Sequence, residues 1–131
     1  MSPELHISLS NLQSNIQFFQ RIIKKNTELS AVVKSDAYGL GIAKIVPEIE
    51  RYGVRSFFTA TISEAIKIRS YSRDCEIFTL NGFDFLKSNL YREHNITPII
   101  NNILEAQKFI EIFNQTQKVA IQLNTGMNRL G

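Results

Sequence analysis

Residues 31–41 read AVVKSDAYGLG: three residues suited to a buried strand run straight into Lys34, and Ser35-Asp36, Tyr38 and two glycines follow. An ammonium is an awkward group to fold inside an apolar run. It is at home at the carboxyl end of a strand in a parallel α/β protein, where chemistry gathers outside the sheet. Leu29–Lys34 is therefore read as a short strand whose last residue reaches a working rim, and Gly39 and Gly41 let the chain turn tightly beyond it.

Working outward, the chain alternates between two periods. Ser10-Asn11 precedes Leu12, Ile16, Phe19 and Ile23, one apolar face of a helix behind a cap. Ile42, Ile45, Ile49 and Tyr52 mark a second helix that stops at Gly53, with Pro47 predicting a later start or a kink. Ser56–Ala60 is strand-like, and Thr61 to Glu64 has the form of a capping box opening a helix through Arg69. Glu76–Leu80 is a strand, after which Asp84 is expected to cap a helix holding Phe85, Leu86 and Leu90. Ile96–Ile100 is a strand with an internal proline. Asn102 and Glu105 form another capping box before a helix whose Ala106, Ile110 and Phe113 share a face, and Lys118–Leu123 is the last strand. The strands end near residues 34, 60, 80, 100 and 123, a regular strand–helix beat that predicts a parallel sheet with right-handed crossovers. An open doubly wound sheet and part of a (β/α)₈ barrel both satisfy it. No Gly-x-Gly-x-x-Gly follows the first strand, which speaks against the dinucleotide-binding form of the open sheet.

The 131 residues have room for one core. Hydrophobic residues make up 44% and charged residues 21%, a globular rather than a disordered composition. The net charge of +3 is scattered, with Lys24-Lys25 its densest pair, so no basic stripe for nucleic acid is expected. No apolar run approaches a membrane span and MSPELHISLS lacks the regions of a secretory signal. The single cysteine, Cys75, cannot form an internal disulfide and fits a reducing cytoplasm. His6 and His94 are isolated, so no metal site is expected.

Lys34 is the leading candidate for chemistry. Taken alone, a lysine after a strand is more often merely solvated. Its neighbours raise its interest, because Tyr38 brings a phenol to the same rim and the glycines allow a ligand close to the backbone. An amine against apolar walls serves as a nucleophile toward a carbonyl or as a base. Arg129 lies in the second strand-end segment, Asn124–Gly131 (NTGMNRLG), beside Met127; a guanidinium there can orient a carboxylate through paired donors.

These residues carry a resemblance. AVVKSDAYGLG resembles the alanine racemase signature AVVKADAYGHG, and NTGMNRLG resembles that family's DTGMNRLG. LHISLSNLQSNIQFF (an N-terminal strand plus helix), FFTATISEAIKIR and ITPII also have family counterparts, so the likeness spans essentially the whole chain. It implies a fold-type III enzyme dependent on pyridoxal 5'-phosphate, with residues 1–131 forming the N-terminal part of a cofactor-carrying (β/α)₈ barrel of the TIM type. About five of the eight strand–helix units would be present, the remaining barrel and a C-terminal β-domain lying outside. By that likeness Lys34 forms the Schiff base with the cofactor and moves a proton at the substrate Cα. Tyr38 binds the cofactor phosphate, Arg129 meets the cofactor's phenolic oxygen and the substrate carboxylate, and Met127 lies beside the substrate. The implied activity is interconversion of L- and D-alanine for peptidoglycan precursors by a cytoplasmic homodimer. A broader-specificity racemase of the same fold and a non-catalytic cofactor-binding module are the alternatives.

The sequence departs from the family pattern at Ser35 and Leu40, where Ala and His are usual, and at Gln122 and Asn124. Gln122 stands where many members have a lysine that can carry a carbamate beside the arginine, and Asn124 where Asp is usual. The opposite-face base of the family is a tyrosine supplied by the partner subunit from a later part of the chain. The 131 residues alone are therefore expected to be inactive, less stable than a closed barrel and prone to self-association through open strand edges.

Overall fold

The computed structural model describes residues 3–114 and 116–131. Its five strands form one parallel sheet: β1 (Ser30–Val32), β2 (Ser56–Thr59), β3 (Glu76–Thr79), β4 (Thr97–Ile100) and β5 (Ala120–Ile121). Their spatial order is 1-2-3-4-5, and every neighbouring pair is parallel. A doubly wound sheet reverses its strand order at a switch point; this one never does. With right-handed crossovers, such an order sets successive helices on one face, as in the wall of a (β/α) barrel. The open-sheet alternative is thereby removed, and the fold is an arc of that barrel.

Helix α1 (Leu9–Ile22) precedes β1, and between the strands lie the short α2 (Lys34–Tyr38), α3 (Ile42–Arg51), α4 (Ile62–Tyr71), α5 (Ser88–Glu93) behind a 3₁₀ turn at Phe85–Lys87, and α6 (Ile103–Phe113). The predicted capping box of α4 is present: the Thr61 hydroxyl accepts from the Glu64 amide, and the Glu64 carboxylate accepts from the Thr61 amide. At α6 the Asn102 side chain accepts from the Glu105 amide at 2.9 Å. Other expectations shift. The cap of α1 is Ser8, whose hydroxyl accepts from Asn11, rather than Ser10-Asn11, and no strand forms between residues 3 and 8. Asp84 makes no side-chain cap; its carboxylate pairs with Lys87 at 3.0 Å. Helix α3 begins at Ile42 and runs across Pro47.

Strand alternation divides the sheet into two faces. Val33, Phe57 and Ile77 point into the core against the helices, where Val46, Phe57, Ala65, Ile68 and Ile96 are wholly buried. A second nucleus is aromatic: Phe83, Tyr91, Phe109 and Phe113 meet at centroid distances of 4.9–5.6 Å under β3 and β4. The α6 face therefore runs through Phe109 and Phe113, while Ile110 is 55% exposed, not the core residue its spacing suggested. Val32, Phe58 and Phe78 are in register on the opposite, inner face, the two rings stacked at 4.8 Å. On the same face Lys118 bonds Glu76, reaching across β4.

Candidate functional site

Lys34 stands immediately beyond the last ladder bond of β1, in which the Val33 amide donates to Phe58 O at 2.9 Å. Its side chain is half-buried. The backbone beyond it takes a form the sequence does not announce. Ser35, Asp36, Ala37 and Tyr38 have φ of 52°, 55°, 56° and 55°, four consecutive L-residues in the left-handed region. Such residues each cost roughly 1–2 kcal/mol there. The turn closes on itself through Ala37 N to Val33 O at 3.0 Å and Gly39 N to Ser35 O at 2.9 Å. The Asp36 carboxylate accepts from the Ile42 amide at 3.0 Å, joining the turn to the start of α3. Ala37 is buried beneath it, whereas Tyr38 is 63% exposed and presents its phenol to the open rim.

One contact enters this turn from elsewhere in the fold. The Ser35 amide donates to Glu64 Oε1 at 2.8 Å, while Glu64 Oε2 accepts from Ala60 N at 2.8 Å and Thr61 N at 3.3 Å. A single carboxylate thus joins the ends of β1 and β2. The TISE segment marked Glu64 only as a helix cap, and its bond to the loop 29 residues earlier was not legible.

Arg129 lies on the same rim at the other end of the arc, in the loop after β5. Asn124 shapes that loop: its Oδ1 accepts from Gly126 N at 3.0 Å and Asn128 N at 3.1 Å, and its Nδ2 donates to Asn128 Oδ1 at 2.9 Å. Asn128 sits at φ 55°. The substitution of amide for carboxylate at position 124 therefore preserves both accepted bonds and adds a donated one. Arg129 lines a 410 Å³ cavity with Asn81, Asn101, Asn102, Glu105 and Asn128. Within it the Asn101 Oδ1 is buried with no hydrogen-bond partner among the described residues. Lys34, Tyr38 and Met127 do not line this cavity, and Met127 is 74% exposed. The structure places the expected residues on one rim but in two groups, Lys34 with Tyr38 at β1 and Arg129 with Met127 after β5.

The donor set suits a phosphorylated pyridine aldehyde. It offers an amine for the aldehyde, a phenol for the phosphate and a guanidinium for the phenolate or a carboxylate. Gly39 and Gly41, at φ 84° and 88°, leave open space within 4 Å of where a Cβ would stand. Among the described residues no group of three His, Cys, Asp or Glu side chains is placed to hold a metal, and no helix is long and apolar enough to cross a membrane.

Comparison with known proteins agrees with this fold. A sequence model of the family described as "Alanine racemase, N-terminal domain" matches residues 7–131. The chain is 36% identical over 107 residues to an alanine racemase of Methylobacterium nodulans, covering 79% of this chain and 29% of that protein. It is 33% identical over 128 residues to one from Cereibacter sphaeroides, covering 97% and 36%. The crystal structure of alanine racemase from Bartonella henselae, with covalently bound pyridoxal phosphate, is similar at a TM-score of 0.87 and 32% identity, over 95% of this chain and 37% of that one. The chain thus spans about a third of the length of these relatives.

Proposed function

The chain belongs to the alanine racemase family through its N-terminal domain, and on that footing we propose that it is the cofactor-carrying part of an enzyme that interconverts L- and D-alanine. The observation that carries the reading is Lys34 itself: a half-buried lysine at the carboxyl end of the first barrel strand, followed by a left-handed turn of four residues.

Lys34 is the residue that would hold pyridoxal phosphate, through Nζ, with Tyr38 binding the phosphate. Bound there, the cofactor supplies an electron sink that acidifies the Cα–H of an amino acid. Arg129 would hold the substrate carboxylate and the cofactor's phenolic oxygen, with Met127 against the substrate. Lys34 Nζ would take or deliver the proton at Cα on its own face. Racemization also needs an acid–base group on the opposite face, and we assign that role to a residue outside these 131, contributed in a homodimer. The departure at Gln122 bears on Arg129, because a neutral amide supplies a hydrogen-bond acceptor but no negative charge beside the guanidinium. The product, D-alanine, would feed peptidoglycan synthesis in the cytoplasm.

The test is covalent. The chain is incubated with pyridoxal phosphate, reduced with borohydride and mapped by mass spectrometry. The pyridoxyl group is expected on Lys34 and lost in Lys34→Ala. A label spread over surface lysines, or concentrated at another, overturns the assignment. In a separate, unreduced preparation with pyridoxal phosphate, L-alanine is expected to yield no D-alanine, and turnover by this chain alone would refute the two-face division.

A further inference from the structure

The left-handed turn after Lys34 raises a question of support. Four L-residues in the αL region cost roughly 4–8 kcal/mol at the usual per-residue figure. Only Asp36 is a type that tolerates that region, and Ala37 has no polar side chain with which to offset it. The Ala37 N to Val33 O bond ties the turn to the end of β1, and the Asp36 carboxylate ties it to α3. The peptide that carries the lysine into the turn, between Lys34 and Ser35, has a further holder from α4.

The N–H of that peptide is the one Glu64 holds, at 2.8 Å. The other carboxylate oxygen is anchored by two amides at the end of β2, so the group cannot follow the turn if it moves. Glu105 offers an internal comparison. It occupies the same third position of α6, and its carboxylate accepts from Asn101 N at 2.9 Å and Asn102 Nδ2 at 2.8 Å, both within its own loop. Of these two, it is the α4 carboxylate that reaches from one strand end to another.

We propose that Glu64 is a positioning residue for Lys34: its Oε1, by holding the Ser35 amide, fixes the Lys34–Ser35 peptide plane and with it the direction in which the lysine enters the barrel mouth. The inference rests on the reading of Lys34 as the cofactor anchor. It assigns Glu64 no contact with substrate or cofactor.

Glu64→Gln separates this role from helix capping. The amide has one acceptor oxygen where the carboxylate has two. Two N–H groups compete for it on the β2 side against one on the Ser35 side, so the carbonyl turns to Ala60 and Thr61. The amide NH₂ is left facing the Ser35 N–H, donor against donor. The matched control is Thr61→Ala, which removes the hydroxyl cap of the same helix and leaves both carboxylate oxygens of Glu64 in place.

Both variants and the unaltered chain are labelled with pyridoxal phosphate and borohydride, and the rate at Lys34 is read by peptide mapping alongside the urea midpoint. Glu64→Gln is expected to slow labelling of Lys34 about tenfold, the scale of one lost charge-assisted bond, while Thr61→Ala leaves it within twofold of the unaltered chain. Equal labelling rates in the two variants overturn the proposal. Absence of label at Lys34 in the unaltered chain is a different failure, that of the anchor reading. If Glu64→Gln does not fold, the unaltered chain still decides through hydrogen exchange. The Ser35 amide is expected to exchange as slowly as that of Val33, and exchange at an open-loop rate overturns the proposal.

Discussion

Cys75 and Tyr91 show what burial does to groups that have no part in the chemistry. Burial pushes the Cys75 thiol above its ordinary 9.0, partly offset by the hydrogen bond to Ser72 O, and burial likewise pushes the Tyr91 phenol above 10.0. Both hold their proton more tightly folded than unfolded, so the stability this confers is complete below about pH 9 and is lost as pH rises beyond it. The urea midpoint is expected to fall as pH rises from about 9 to about 11, and to fall less in Cys75→Ala. A midpoint that rises over that interval would contradict the burial of these groups. At this scale the placement of the candidate residues was legible: Lys34 follows β1 and Arg129 follows β5, as their strand-end positions in the sequence predict. What could not be read was the hand of the turn after Lys34, since Ser, Ala and Tyr carry no preference for φ near +55°. Nor could the second oxygen of Glu64 be read, because its partner is set by the packing of two strand ends rather than by spacing.

The helices and strands were legible where local pattern and tertiary environment agree. Thr61–Glu64 and Asn102–Glu105 cap their helices as their spacing requires, and β2 and β3 fall where the β-branched and aromatic runs lie. Pattern failed where a partner decides. Ile110 and Phe109 both satisfy a helical stripe, and the aromatic nucleus around Phe83 selected Phe109. The paired part of β5 contracted to Ala120–Ile121 because β4 ends at Ile100, where Gln122 N still donates to its carbonyl at 2.9 Å. Arg69, at the end of α4, is a joint that spacing alone does not reveal. Its guanidinium donates to the carbonyls of His94, Arg73, Cys75 and Asn95 at 2.7–2.9 Å, fastening α4 to the start of β3 and the end of α5. Arg69→Ala leaves those acceptors without their charged donor and is expected to cost roughly 3 kcal/mol or more, read as a lowered urea midpoint. Arg69→Lys is expected to recover little, because three donors on one nitrogen cannot span four carbonyls arranged for a fork.

At the scale of the whole sheet, β1 and β5 are edges with no further strand partner among the described residues, and Val32 on the inner face is 46% exposed. Backbone donors and acceptors along such edges pair with whatever strand arrives. Light scattering on the 131-residue chain is expected to show species heavier than a monomer in proportions that grow with concentration; a single monomeric species at every concentration would rule this out. The strand order 1-2-3-4-5 has a different kind of consequence. Each strand finds its partner in the unit made just before it, so sequence separations across the ladder stay short and no early segment waits, half-paired, for a distant one. As the polypeptide leaves the ribosome from its amino end, the arc can lengthen by one strand and one helix at a time.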